Sequence, residues 1–88
     1  MSRWQLEGIL DLSTVPDIWP EMAAQIRGST QLSISLAGVK HASSAALALL
    51  IQGLAEAREA GCDLRYEQIP ADLLALAGVS NVRGLLGA

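Results

Sequence analysis

The residues able to do chemistry are few, and most gather in one stretch, "KHASSAALALL" at 40–50, which holds His41, Ser43 and Ser44. Adjacent serines ahead of an uncharged apolar run admit three readings: a nucleophile, a phosphate acceptor, or the cap of a helix. A nucleophilic serine needs a base beside it and an acid to orient that base. His41 is the single histidine of the chain, and a G-x-S-x-G elbow is absent. Catalysis is therefore not expected. A hydroxyl just before a helix suits an N-cap, where its oxygen accepts a backbone N–H. Capping does not exclude function, because the positive end of a helix also welcomes anions and partner groups. Cys62, the sole cysteine, forms no familiar metal-binding set with His41, and no cation next to it in sequence would lower its pKa. No phosphate loop, dinucleotide fingerprint or paired metal-ligand spacing occurs, so no cofactor is expected. If ATP enters the biology, another subunit should supply its site.

These residues sit in a chain of 88, the size of one domain spanning 1–88. So small a domain buries only about 60–65% of its unfolded surface. Its stability should lie near 5 kcal/mol, the low end of the usual range, and a permanent partner would add to it by mass action. With 51% hydrophobic residues but no Phe, the core must be built from Leu, Ala, Ile and Val. The net charge is −3, and the basic residues Arg3, Arg27, Lys40, Arg58, Arg65 and Arg83 are scattered. No stripe follows a phosphate backbone, so nucleic acid is not expected as a ligand. One cysteine forbids an internal disulfide and fits a reducing compartment. The start, "MSRWQLEGIL", lacks the apolar core of a signal peptide. The longest apolar run, Ala45 to Ile51, is far short of the roughly 20 residues that span a bilayer. The expectation is a soluble cytoplasmic protein, attached to a membrane complex only through another protein.

The elements that position the serines follow from periodicity. Residues 3–7 alternate, with Trp4 and Leu6 on one face and Arg3, Gln5 and Glu7 on the other, which predicts a half-buried strand. Gly8 should break it, leaving "ILDL" to continue it or form a second short strand. Ser13 or Thr14 can cap a helix, but Pro20 argues for a loose turn at 15–19 and regular helix only over 20–27. "QLSISLA" at 31–37 is the clearest strand, with Leu32, Ile34 and Leu36 on one face. "GVKHA" reads as a connection. Ser43 or Ser44 then caps a helix to about Ala60, closed by Gly61. "CDLRYEQI" is a third alternating strand, Pro70 opens a helix ending at Gly78, and "SNVRGLLGA" gives a last helical turn or two. The segment 31–69 is a strand–helix–strand crossover, so its strands should be parallel.

On the helix after the serines, Leu47, Leu50, Ile51 and Leu54 cluster at 100° per residue into a core stripe. Ala45, Leu49, Gln52 and Glu56 lie roughly opposite, which predicts an exposed Leu49 among small residues, fit to anchor an interface. Trp4 and Trp19 are expected in or at the edge of the core.

The strand "LSISLAGV", a short connection, two hydroxyls and "ALALLIQGLAEAREAG" together resemble the STAS domain family. "LEG", "WPEM", "LALLI" and the Leu-rich C-terminal segment extend the likeness to its MlaB-type members, the stand-alone STAS subunits of phospholipid-moving ABC transporters. The resemblance implies an α/β fold, a mixed four-stranded sheet with three to four helices mostly on one face. It implies a non-enzymatic subunit that docks on an MlaF-like ABC ATPase and stabilises or activates it, serving outer-membrane lipid asymmetry. The family begins this helix with Asp, two hydroxyls, Gly and Leu. Here Ser43 replaces the Asp, Ser44 matches the first hydroxyl, Ala45 stands where sigma-factor regulators carry the phosphorylated serine, and Ala46 replaces the Gly. The partner-binding set implied is His41, Ser43, Ser44, Ala45, Leu49 and Gln52. The alternative is an anti-sigma-factor antagonist, with Ser44 as the candidate phosphorylation residue. A small hydrolase using Ser44 is a third reading, for which no labelling by serine-reactive probes is expected.

Overall fold

The computed structural model describes residues 2–79, with side chains up to residue 75; the helical turn expected within 80–88 lies outside the described residues. The order is β1 (Ser2–Leu10), α1 (Val15–Arg27), β2 (Gln31–Ala42), α2 (Ser44–Ala60), β3 (Asp63–Glu67) and α3 (Ala71–Val79). The strands form one sheet in the order β1-β2-β3, and both neighbouring pairs are parallel. The expected mixed four-stranded sheet is thus corrected to a parallel three-stranded one among the described residues. The reason lies at Gly8, whose φ of 78° only glycine adopts at little cost. The chain passes through this residue instead of stopping, so Ile9 and Leu10 of "ILDL" end β1, Asp11 and Leu12 enter the turn, and no separate strand forms.

The stretch "GVKHA" is likewise corrected: it is the last part of β2, not a connection. Glu7 pairs with Gly38, Gly8 with Val39, Ile9 with His41 and Leu10 with Ala42. Two register shifts, between Gln5 and Glu7 and between Gly8 and Ile9, each place an extra residue in β2, so β2 bulges while β1 stays regular from Ser2 to Glu7. Gly38 is there for close approach. A Cβ would lie 2.9 Å from Gln5 Nε2 and 3.0 Å from Glu7 Cγ.

Helix α1 runs unbroken through Pro20, against the expected loose turn. Pro20 lies one turn after Pro16, and both are exposed, so the carbonyl that loses its partner is on the solvent side of the helix. Asp11 prepares the start of α1. Its Oδ1 accepts from the N–H of Ser13 (2.9 Å) and Thr14 (3.1 Å), while Thr14 Oγ1 accepts from the Asp11 N–H (3.0 Å).

A single core joins these elements. Leu6 and Leu10 of β1, Leu32, Ile34 and Leu36 of β2, Met22 and Ile26 of α1, Leu49 and Leu50 of α2, and Leu73 of α3 are all buried in it. Trp4 and Trp19 pack against its margin. The leucine face read for β2 therefore points inward, while Ser33, on the other face, is buried as well. Helices α1 and α2 pack on one another, and the guanidinium of Arg27 pairs with the Glu56 carboxylate across the crossing. Gly61, at φ 71°, closes α2.

Candidate functional site

The serine pair stands where β2 turns into α2, at the C-terminal ends of parallel strands, the edge at which open α/β sheets place their binding sites. Ser43 is the cap. Its backbone is extended, and its Oγ accepts from the Ala45 N–H at 3.2 Å. Its N–H and hydroxyl both donate to the Leu10 carbonyl, at 3.1 and 3.4 Å. The corner is thus tied to the end of β1. Ser44 begins α2 with its side chain exposed. Serine hydroxyl chemistry is divided by position: Ser43 holds the fold, and Ser44 faces outward.

His41 is exposed at the end of β2, opposite Ile9, and lies on a strand, not in a loop. Among the described residues no hydrogen bond joins His41 to either serine. Ala45 is half-buried and Gln52 exposed. Leu49 departs from expectation: it is 1% exposed and belongs to the core. The buried side of α2 is Ala46, Leu47, Leu49, Leu50, Gly53 and Ala57, so the helix is rotated by about a quarter turn from the stripe of its largest residues. Gly53 explains the rotation. Met22 Cε and Tyr66 Oη come so close to it that any side chain there would collide with them. The Tyr66 hydroxyl also donates to the Leu50 carbonyl at 2.6 Å. The small residues let α1 and β3 approach, and that side becomes the inner one. The outer side is consequently Ser44, Ala48, Gln52, Ala55 and Glu59.

Periodicity missed the apolar part of this corner. Ile9 is 51% exposed and Leu12 83%, the only large hydrophobic side chains so exposed among the described residues. Ile9 neighbours His41 across the β1–β2 pair, and Leu12 sits in the turn that follows. The signal was Gly8. The chain stays in β1 through this glycine, so the alternation carries on unshifted: Leu10 points inward like Leu6, and Ile9 outward like Gln5 and Glu7. The turn itself is well fixed: Thr14 Oγ1 donates to the Ile9 carbonyl at 2.8 Å. The Ser13 hydroxyl and the backbone N–H groups hold the Asp11 carboxyl below its usual pKa, which keeps it charged at this corner.

The arrangement offers two apolar side chains, a free hydroxyl, an imidazole and a strip of small residues, which together form a contact surface. Cys62 is buried just before β3, and burial, with the Asp63 charge second, raises its thiol pKa. Among the described residues no three of His, Cys, Asp and Glu come together as a metal site would require. No helix among them is long and apolar enough to cross a membrane.

A comparison with curated proteins finds no match. The family model described as "Mlab, STAS domain" matches residues 2–87. With a parallel α/β core and a capped helix leaving its central strand at a hydroxyl pair, the chain belongs to the STAS domain family, in the group that this MlaB model defines.

Proposed function

We propose that this STAS domain is a non-enzymatic docking subunit that binds the ATPase of a phospholipid-transporting ABC complex and stabilises or activates it. The observation that carries the reading is the exposed corner of Ile9, Leu12, His41, Ser44 and Ala48, whose side chains, apart from the imidazole, are apolar or small. Leu12 takes the anchoring role that the sequence suggested for Leu49, since a leucine at 1% exposure reaches no partner. His41, Ser44, Ala45 and Gln52 border the contact, and Ser43 holds its shape. Docking can favour one arrangement of the ATPase only by binding it more tightly than the other. On this reading the chain works in the cytoplasm, peripheral to an inner-membrane complex through its partner. Co-purification with an ABC ATPase is the test, with Leu12→Ser and Ser44→Glu as variants. Both should fold, and each should lower retention at least tenfold. Folded variants that bind and activate the ATPase like the wild type would refute the surface.

The exposed Ser44 hydroxyl also supports a second reading, an anti-sigma-factor antagonist whose docking is broken by phosphorylation. Intact-mass analysis with a candidate kinase separates the two: a gain of one phosphate at Ser44 favours the switch.

A further inference from the structure

The outer edge of β1 has no strand beside it among the described residues, since β1 is the first strand of the sheet and pairs only with β2. Free edges are normally blunted by bulges, prolines or repelling charges. Here the bulges fall in β2, and β1 is regular from Ser2 to Glu7. No proline lies in it. It does carry charges, Arg3 and Glu7, exposed on the same face and four residues apart with Gln5 midway. In an antiparallel pairing of two copies about Gln5, Arg3 of each strand stands opposite Glu7 of the other. Trp4 stands opposite Leu6, on the core side, where Trp4 is only half-buried in one copy. Charges that would repel a strand of the same sign are thus complementary to the chain's own second copy. A two-fold contact requires this kind of self-complementarity.

We propose that β1 is a self-recognition edge, and that two copies pair their β1 strands antiparallel about Gln5 into one continuous six-stranded sheet. Opposite charges directly across antiparallel strands stabilise the pair, and like charges destabilise it. The contact involves residues 2–8 and leaves Leu12, Ser44 and Ala48 free, so it does not depend on the docking reading.

Sedimentation equilibrium of the full chain at low salt, from about 10 µM to 1 mM, tests it. A concentration-dependent dimer is expected, weakened by raised salt because the exposed pairs are screened. Arg3→Glu and Glu7→Arg, both at exposed positions, should each weaken it at least tenfold. Combining R3E with E7R should restore it to within about threefold of the wild type. A chain that stays monomeric at 1 mM overturns the proposal. So does a dimer indifferent to both single swaps, or a double swap no tighter than the single ones. Gln5→Cys gives a second readout, because position 5 meets itself on the axis. An inter-chain disulfide is expected at Gln5→Cys and not at a Gln52→Cys control; equal yields at both refute the register.

Discussion

Replacing Gly53 by alanine tests the account of why α2 buries its small side. A Cβ at this position lies 2.5 Å from Met22 Cε and closer than 3.0 Å to Tyr66 Oη, with Ile26 Cδ1 at 3.7 Å. The Met22 methyl ends a flexible side chain and can swing away. Tyr66 cannot: its ring is rigid, and its hydroxyl is held by the 2.6 Å bond to the Leu50 carbonyl. Overpacking of this kind costs about 1–3 kcal/mol. Loss of the tyrosine bond adds about 0.5–1.5 kcal/mol. Alanine returns about 0.8–1 kcal/mol through its better helix propensity. The net loss is about 1–3 kcal/mol, a large part of a stability near 5 kcal/mol. Each kcal/mol shifts the melting temperature of so small a domain by roughly 4–8 °C. Urea titration and thermal melts followed by circular dichroism should show both changes. Tyr66→Phe removes the obstructing oxygen, so Gly53→Ala should cost at least about 0.5 kcal/mol less in that background. If Gly53→Ala is neutral or stabilising, or if its cost is the same in both backgrounds, the packing explanation is wrong.

Leu49→Asp places a charge in the core and should prevent folding, whereas Ala48→Asp, one residue away on the outer side, should change stability by no more than about 0.5 kcal/mol in urea titrations. Ser43→Ala removes the cap of α2 and should cost about 1 kcal/mol; Ser44→Ala should leave the melting temperature almost unchanged. Burial raises the Tyr66 pKa well above its ordinary value of about 10, so in alkali the unfolded chain loses this proton first. Stability is then full below pH 10 and falls above it, by about 1.4 kcal/mol per pH unit from this residue. Equal slopes for the wild type and Tyr66→Phe in urea titrations above pH 10 would refute this.

The period-two pattern made the strands legible, because Leu32, Ile34 and Leu36 need one apolar face whatever covers it. The ends of the strands were less legible. "GVKHA" contains a glycine and two polar residues, the usual marks of a connection, yet its backbone pairs with β1 and Gly38 serves a close approach. At the site, the serine cap and the exposed Ser44 could be read from local chemistry, while Leu49 could not. The largest residues of α2 form a stripe at Leu47, Leu50, Ile51 and Leu54, so size pointed to a face about a quarter turn from the one that small residues let pack.

Composition and periodicity by themselves determined a small α/β domain, its parallel 31–69 crossover, and a hydroxyl pair at the head of the second helix. These depend on neighbours in sequence, which share one element and one period. Only the tertiary structure decided which side of α2 faces inward, and that Ile9 and Leu12 form the apolar corner. Both were set by contacts between distant segments. Met22 and Tyr66 close on Gly53, and pairing with a bulged β2 carries β1 past Gly8 to Leu10.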